Sequence, residues 1–129
     1  MALPNSALII DDEQHVRVYA MQLLRQAGIH ACLEAGDAEL GLNLFREKKP
    51  ELILIDLNLA GPLSGMDVLK QIRLEDETVY AVIFTCEASA SAVMAAVNAG
   101  ADGFIRKDTS AQQIVRQLLE IVADPDEDE

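Results

Sequence analysis

The chain has 129 residues, half of them hydrophobic, which suits one folded unit around one core and leaves little room for a second. A formal net charge of -12 opposes a grip on the phosphate backbone of nucleic acid, since that requires a basic surface, so the chain is not expected to bind DNA by itself. No apolar run approaches the roughly 20 residues needed to cross a bilayer, and the N-terminus lacks the layout of a secretion signal; a soluble, cytoplasmic protein is expected.

Apolar runs of strand length alternate along the chain with segments of helical period, the pattern of βα units and a mostly parallel sheet. The first strand is predicted at Ala7 to Ile10. The helix after it places Val16, Ala20, Leu23, Leu24 and Ala27 on one face and stops at Gly28. The second strand, Ile29 to Leu33, alternates apolar with His30 and Cys32 and suits a half-covered edge. Asp37 is placed to cap the second helix, which buries Ala38, Leu42 and Phe45.

The continuous apolar runs Leu52 to Ile55 and Ala81 to Phe84 belong in the middle of the sheet, covered on both faces. Between them, Ser64 and Asp67 form a capping box for a third helix with Val68, Leu69 and Ile72 inward. Ser89 caps a fourth helix over Ala88 to Ala99, unusually rich in alanine and ending at Gly100. A short fifth strand lies around Gly103 to Ile105. Ser110 and Gln113 then form a capping box for a fifth helix that buries Ile114, Leu118, Ile121 and Val122. Residues 1–123 are read as one domain and the acidic run 124–129 as a tail or the start of a linker. Cys32 and Cys86 form no metal-spaced cluster and are read as buried free thiols, and His15 and His30 as surface or edge residues.

Right-handed crossovers favour a doubly wound α/β fold with five helices around a five-stranded parallel sheet in the order 2-1-3-4-5, with the half-polar second strand and the short fifth at the edges. Sites in such folds form at the carboxyl ends of the central strands. There the sequence has Asp11, Asp12 and Glu13 after strand one, Asp56 after strand three, Thr85 at the end of strand four and Lys107 after strand five. Carboxylates brought together repel one another, so either their pKa values rise or a cation sits among them. Magnesium fits: it is a hard ion, held by one or two carboxylates together with phosphoryl oxygens and water. A carboxylate can also take up phosphate as a nucleophile, aided by a metal, a lysine and a hydroxyl that neutralise the transferring group.

Four stretches, ALIIDDE at Ala7 to Glu13, LILIDLNL at Leu52 to Leu59, VIFT at Val82 to Thr85 and GADGFIRKDTS at Gly100 to Ser110, together closely resemble the receiver domains of two-component response regulators, over nearly the whole chain. The resemblance implies a flavodoxin-like fold with Asp56 as phosphoacceptor. It further implies Asp12 as a direct Mg2+ ligand, Asp11 acting mainly through water, and the main-chain oxygen of Asn58 completing the site. Thr85 would hydrogen-bond the phosphoryl group, Lys107 would pair with it, and Phe104 would change rotamer as a two-state switch remodels the surface of the fourth helix, fifth strand and fifth helix. The protein would be a signalling domain rather than an enzyme in the usual sense, promoting its own phosphotransfer and slow dephosphorylation. Its partners would be a sensor histidine kinase or phosphotransfer protein, with a homodimer available through the same switch surface.

Some positions depart from the family pattern. The loop from Asp56 to Gly65 is one residue longer than the commonest form, and Asp108 follows the lysine where the family usually has proline, so a trans bond is expected there. Cys86 stands where the family has Ala, Ser or Gly and is expected to narrow access to Asp56; Asn58 and Glu87 lie where the family tunes the lifetime of the phosphoryl group. The KDTS run resembles receivers joined to a helix-turn-helix output domain. The rival functions are an Asp-nucleophile phosphatase of the haloacid dehalogenase type, disfavoured because Asn58 replaces that group's second aspartate, and a flavodoxin-like cofactor binder or degenerate receiver acting only as a docking module.

Overall fold

The computed structural model describes residues 3–87 and 89–123, so the acidic run 124–129 and residue 88, expected at the start of the fourth helix, lie outside the described residues. The chain runs β1 (Ser6–Ile10), α1 (Gln14–Gln26), β2 (Ala31–Ala35), α2 (Ala38–Lys48), β3 (Leu52–Ile55), α3 (Gly65–Glu75), β4 (Tyr80–Thr85), α4 (Ala90–Asn98), β5 (Gly103–Arg106) and α5 (Ala111–Val122). All neighbouring strands pair in parallel in the order β2-β1-β3-β4-β5, as the patterning predicts.

Successive strand residues point to opposite faces, so the continuous apolar runs feed two cores at once. On one face Leu8, Ile10, Ile53, Ile55, Ala81 and Ile83 pack with Leu42 and Phe45 of α2 and with Val68, Leu69 and Ile72 of α3. On the other, Ile9, Leu54, Val82 and Phe84 pack with Leu23 and Leu24 of α1 and with Ile114 and Leu118 of α5. Asp37, Ser64, Ser89 and Ser110 each accept a main-chain N–H of the first turn of their helix. Ser64 and Asp67 bond reciprocally, a full capping box. At α5 the expected box is only half present: Ser110 accepts from the Gln113 main chain, and among the described contacts no return bond comes from the Gln113 side chain.

The second strand is displaced from the predicted Ile29 to Leu33. Gly28, at φ +98°, turns the chain so that its N–H reaches Arg25 O and the Ile29 N–H reaches Leu24 O, closing α1 in a Schellman motif. Ile29 thereby becomes a buried plug of the helix end, and sheet pairing starts only at Ala31, opposite Ser6. An alternating pattern one turn after a helix was thus part cap and part strand. Cys86 is also corrected: both thiols are free, but Cys32 is half-buried and Cys86 exposed, because β4 ends at Thr85 and the next residue bends out of the sheet. His15 and His30 are exposed, as expected. No helix among the described residues is long and apolar enough to cross a membrane.

An arginine ties two helices of one face together. Arg46 of α2 forks onto Glu75 of α3 through bonds of 2.9 and 2.8 Å, and Gln71 adds a third at 2.7 Å. These donors hold the Glu75 carboxyl down at about 2, the Arg46 and Gln71 hydrogen bonds outweighing slight desolvation. Because the folded value lies below the ordinary one, the pair contributes stability above the ordinary glutamate range and loses it as pH falls toward about 2. Carbon-detected NMR titration is expected to find Glu75 titrating near 2 in the native protein and returning toward 4.5 in Arg46→Ala; a native value near 4.5 would show that the pair does not persist in solution.

Candidate functional site

The topology brings the ends of β1, β3, β4 and β5 to one edge of the sheet. Asp11 follows β1, and its N–H bonds Ala35 O of β2 at 3.1 Å; Asp56 follows β3, and its N–H bonds Ile10 O of β1 at 3.0 Å. Both carboxylates begin from fixed main-chain positions. Among the described residues Asp11, Asp56 and Thr85 are the buried polar ones, at 1%, 4% and 0% exposure, whereas Asp12 beside them is exposed. Carboxylate oxygens of Asp11, Asp12 and Asp56 all lie within 4.8 Å of one another.

Asp56 is held from several sides. Its Oδ1 accepts from Thr85 Oγ1 at 2.8 Å and from the Asn58 main-chain N–H at 3.2 Å, while Oδ2 accepts from Lys107 Nζ at 3.0 Å. Lys107 reaches in from beyond β5, its own N–H continuing the sheet ladder to Thr85 O at 2.9 Å, and its ammonium lies 2.8 Å from Asp11 Oδ2. Burial alone would lower the Lys107 pKa, but close pairing with the carboxylates of Asp11 and Asp56 outweighs it and holds the ammonium above its ordinary value. Burial pushes the Asp11 carboxyl up, against the pairing with Lys107 and the Glu13 N–H that Oδ1 accepts at 2.9 Å.

The cluster suits a divalent ion. Asp11 Oδ2 is buried, touches the Lys107 ammonium, and takes no well-directed hydrogen bond. A buried anionic oxygen in that position still has unused coordinating capacity. The donor set is all oxygen, which matches a hard cation.

Most residues singled out from the sequence meet here: Asp11, Asp12, Asp56, Thr85 and Lys107 share one cluster, and Asn58 joins through its main chain. Phe104 lies apart from the carboxylates, half-buried, packed against the α2–α4 core and paired across the sheet with Ile83. The peptide before Asp108 is trans, as expected, and Asp108 forks with Arg106 at 3.0 and 2.7 Å on the surface.

Two further contributors went unrecognised in the sequence. Gly65 is the first residue of α3, and a Cβ there would run into the carbonyl oxygen of Asp56 and the Cα of Leu57. The longer loop therefore returns to press its glycine against the backbone of Asp56, with Gly65 N bonded to Leu57 O at 3.0 Å. Arg17 of α1 donates from Nη1 to the Asp11 carbonyl and from Nε to Glu34 Oε1, both at 2.8 Å. A cation three residues before Ala20 and seven before Leu24, on the helix's apolar stripe, was a signal that could have been read.

Comparison with known proteins agrees with the fold. The model of the response regulator receiver domain matches residues 7–119, and the chain belongs to that family. The nitrate/nitrite response regulator NarP of Escherichia coli is 33% identical over 118 residues, 91% of this chain and 54% of the relative. Chemotaxis protein CheY-3 of Vibrio cholerae is 30% identical, with 88% of each chain covered. Among solved structures, a LuxR-family two-component response regulator from an Aurantimonas species superposes with a TM-score of 0.85 at 28% identity, covering 97% of this chain and 92% of that one. A CheY-like receiver domain from Methanospirillum hungatei gives the same score at 22% identity. The chain spans about half the length of the nitrate/nitrite regulators it matches.

Gly65→Ala is expected to lower the free energy of unfolding by about 1–3 kcal/mol, the usual cost of forcing atoms into a packed site. Urea denaturation of the variant against the native chain measures it; an unchanged midpoint would mean that the Asp56 loop yields without cost.

Proposed function

We propose that Asp56 is the phosphoacceptor of a signalling receiver, taking a phosphoryl group from a histidine kinase or phosphotransfer protein with Mg2+ as cofactor. The observation that carries this reading is the buried Asp56 carboxylate flanked by Thr85 Oγ1, Lys107 Nζ and two further aspartates. In the transfer, a carboxylate oxygen of Asp56 forms the new P–O bond as the donor's P–N bond breaks and its electron pair stays on the imidazole nitrogen. Lys107 and Thr85 now bond the unphosphorylated carboxylate; both are placed to turn to the oxygens of the incoming group, where charge develops. Asp11, Asp12, Asp56 and the main-chain oxygen of Asn58 would hold Mg2+, which when bound supplies the neutralising charge that lets anionic donor and acceptor meet.

The switch follows from the same contacts. Thr85, drawn toward a phosphoryl oxygen, leaves room that Phe104 fills, and Phe104 packs on the same apolar cluster as Ala92, Ala96 and Ala99. Of the nine residues of α4 only Ala96 is fully buried, so the helix shifts with little loss of packing. The α4–β5–α5 surface so changed would signal to a partner, an output domain or a second copy of the chain. A docking module without phosphorylation is the second reading, and the labelling experiment separates the two.

Acetyl phosphate with magnesium is expected to add one phosphoryl group, seen by intact-protein mass spectrometry, and Asp56→Asn to abolish the addition; undiminished labelling of the variant would refute the assignment. In calorimetry, Mg2+ is expected to bind without phosphate and to bind more weakly to Asp12→Ala. Equal affinities would remove Asp12 from the ligand set.

A further inference from the structure

We propose that Arg17 is a positioning residue for the metal-binding turn, holding Asp12 in place through its hydrogen bond to the main-chain carbonyl of Asp11. The inference rests on the Mg2+ reading above. The Arg17 side chain is largely covered, 16% exposed, and is committed in two directions, to Asp11 O and to Glu34 Oε1 at 2.8 Å each. Glu34 lies on β2 opposite Ile9 of β1, so one arm of the fork is anchored in the sheet while the other reaches the turn just beyond it.

The turn has few other supports. The Asp11 N–H bonds Ala35 O and Asp11 Oδ1 takes the Glu13 N–H, but among the described residues no hydrogen bond holds the exposed carboxylate of Asp12. Its position is therefore set by the backbone, and the peptide joining Asp11 to Asp12 is the one that Arg17 grips. Nor does α1 hold the turn by a cap, since the Glu13 side chain makes no capping bond. His15 of α1 comes within 3.6 Å of the Glu13 carboxylate, but both side chains are exposed; among the described residues Arg17 is the side chain of α1 that hydrogen-bonds the main chain of the turn.

Charge and position make opposite predictions, which makes the role testable. Arg17 is a cation near a cation site, so if it were only a charge its removal would tighten metal binding. If it positions Asp12, its removal weakens binding, and outer-shell supports of metal ligands are commonly worth about 10–100-fold in affinity. Lysine keeps the charge but not the planar fork, so it should not restore the support.

The test is Mg2+ calorimetry on the native chain, Arg17→Ala, Arg17→Lys and Asp12→Ala, with thermal melts of the same metal-free samples. Both Arg17 variants are expected to bind Mg2+ about 10–100-fold more weakly than the native chain. Affinity equal to or tighter than native in Arg17→Ala, with or without a lowered melting temperature, overturns the proposal. Should that variant not fold, native-like affinity in Arg17→Lys overturns it instead. A native chain that binds no Mg2+ brings down the metal reading and this inference together. Binding lost in Asp12→Ala but kept in the Arg17 variants brings down this inference alone.

Discussion

The Lys107 ammonium, lying 2.8 Å from Asp11 and 3.0 Å from Asp56, is the contact on which the site depends. Two carboxylates buried at the end of an apolar sheet repel each other and lose their hydration, a combination that a protein interior tolerates only with a compensating charge. The lysine supplies it from the far side of β4, and its own main chain is fixed by the ladder bond to Thr85 O. By contrast the forked pair Arg106–Asp108, though equally short, is solvated on both sides, and such pairs contribute little. Burial, more than distance, separates the two.

Under the proposed reading, that arrangement would also make the site responsive. Asp56 is bonded by the same hydroxyl and ammonium that are placed to meet an added group, so the resting contacts and the proposed phosphorylated ones compete for the same donors. A divalent cation among the carboxylates would take over part of the compensation now given by Lys107 and free it to turn.

The scaffold around the site is uneven in firmness. Arg73 of α3 gathers the lower edge of the sheet, bonding Gly100 O after α4, Val79 O before β4, and Asp102 before β5, whose carboxylate also accepts the Ala81 N–H. The C-terminal end of α4 is thereby pinned, while the rest of the helix buries only Ala96 and leaves Met94 and Val97 exposed. On the opposite face α1 and α5 each bury three residues in the cluster that holds Ile9, Leu54, Val82 and Phe84. A displacement beginning at Thr85 would meet least resistance toward α4.

Much of this was legible in the chain itself. Period and run length separated strands from helices, and hydroxyl or carboxyl residues ahead of each helical stripe located the starts of α2 to α5, because both signals are local and survive without tertiary context. Polar residues at the ends of apolar runs marked the site, since parallel strands must deliver their carboxyl ends to one edge. The start of β2 and the exposure of Cys86 were not legible. One depended on a helix cap that took Ile29 out of the strand, the other on where the last ladder bond falls. The contacts of Arg17 and Gly65 were hidden for a related reason: the apolar stripe could mark Arg17 as covered, but both residues act on main-chain atoms of Asp11 and Asp56, and no side-chain pattern records where a backbone from elsewhere in the chain will pass. Sequence alone determined which groups could meet and at which edge of the sheet; only the tertiary structure decided what holds them at their distances, because that is settled by packing between segments far apart in the chain.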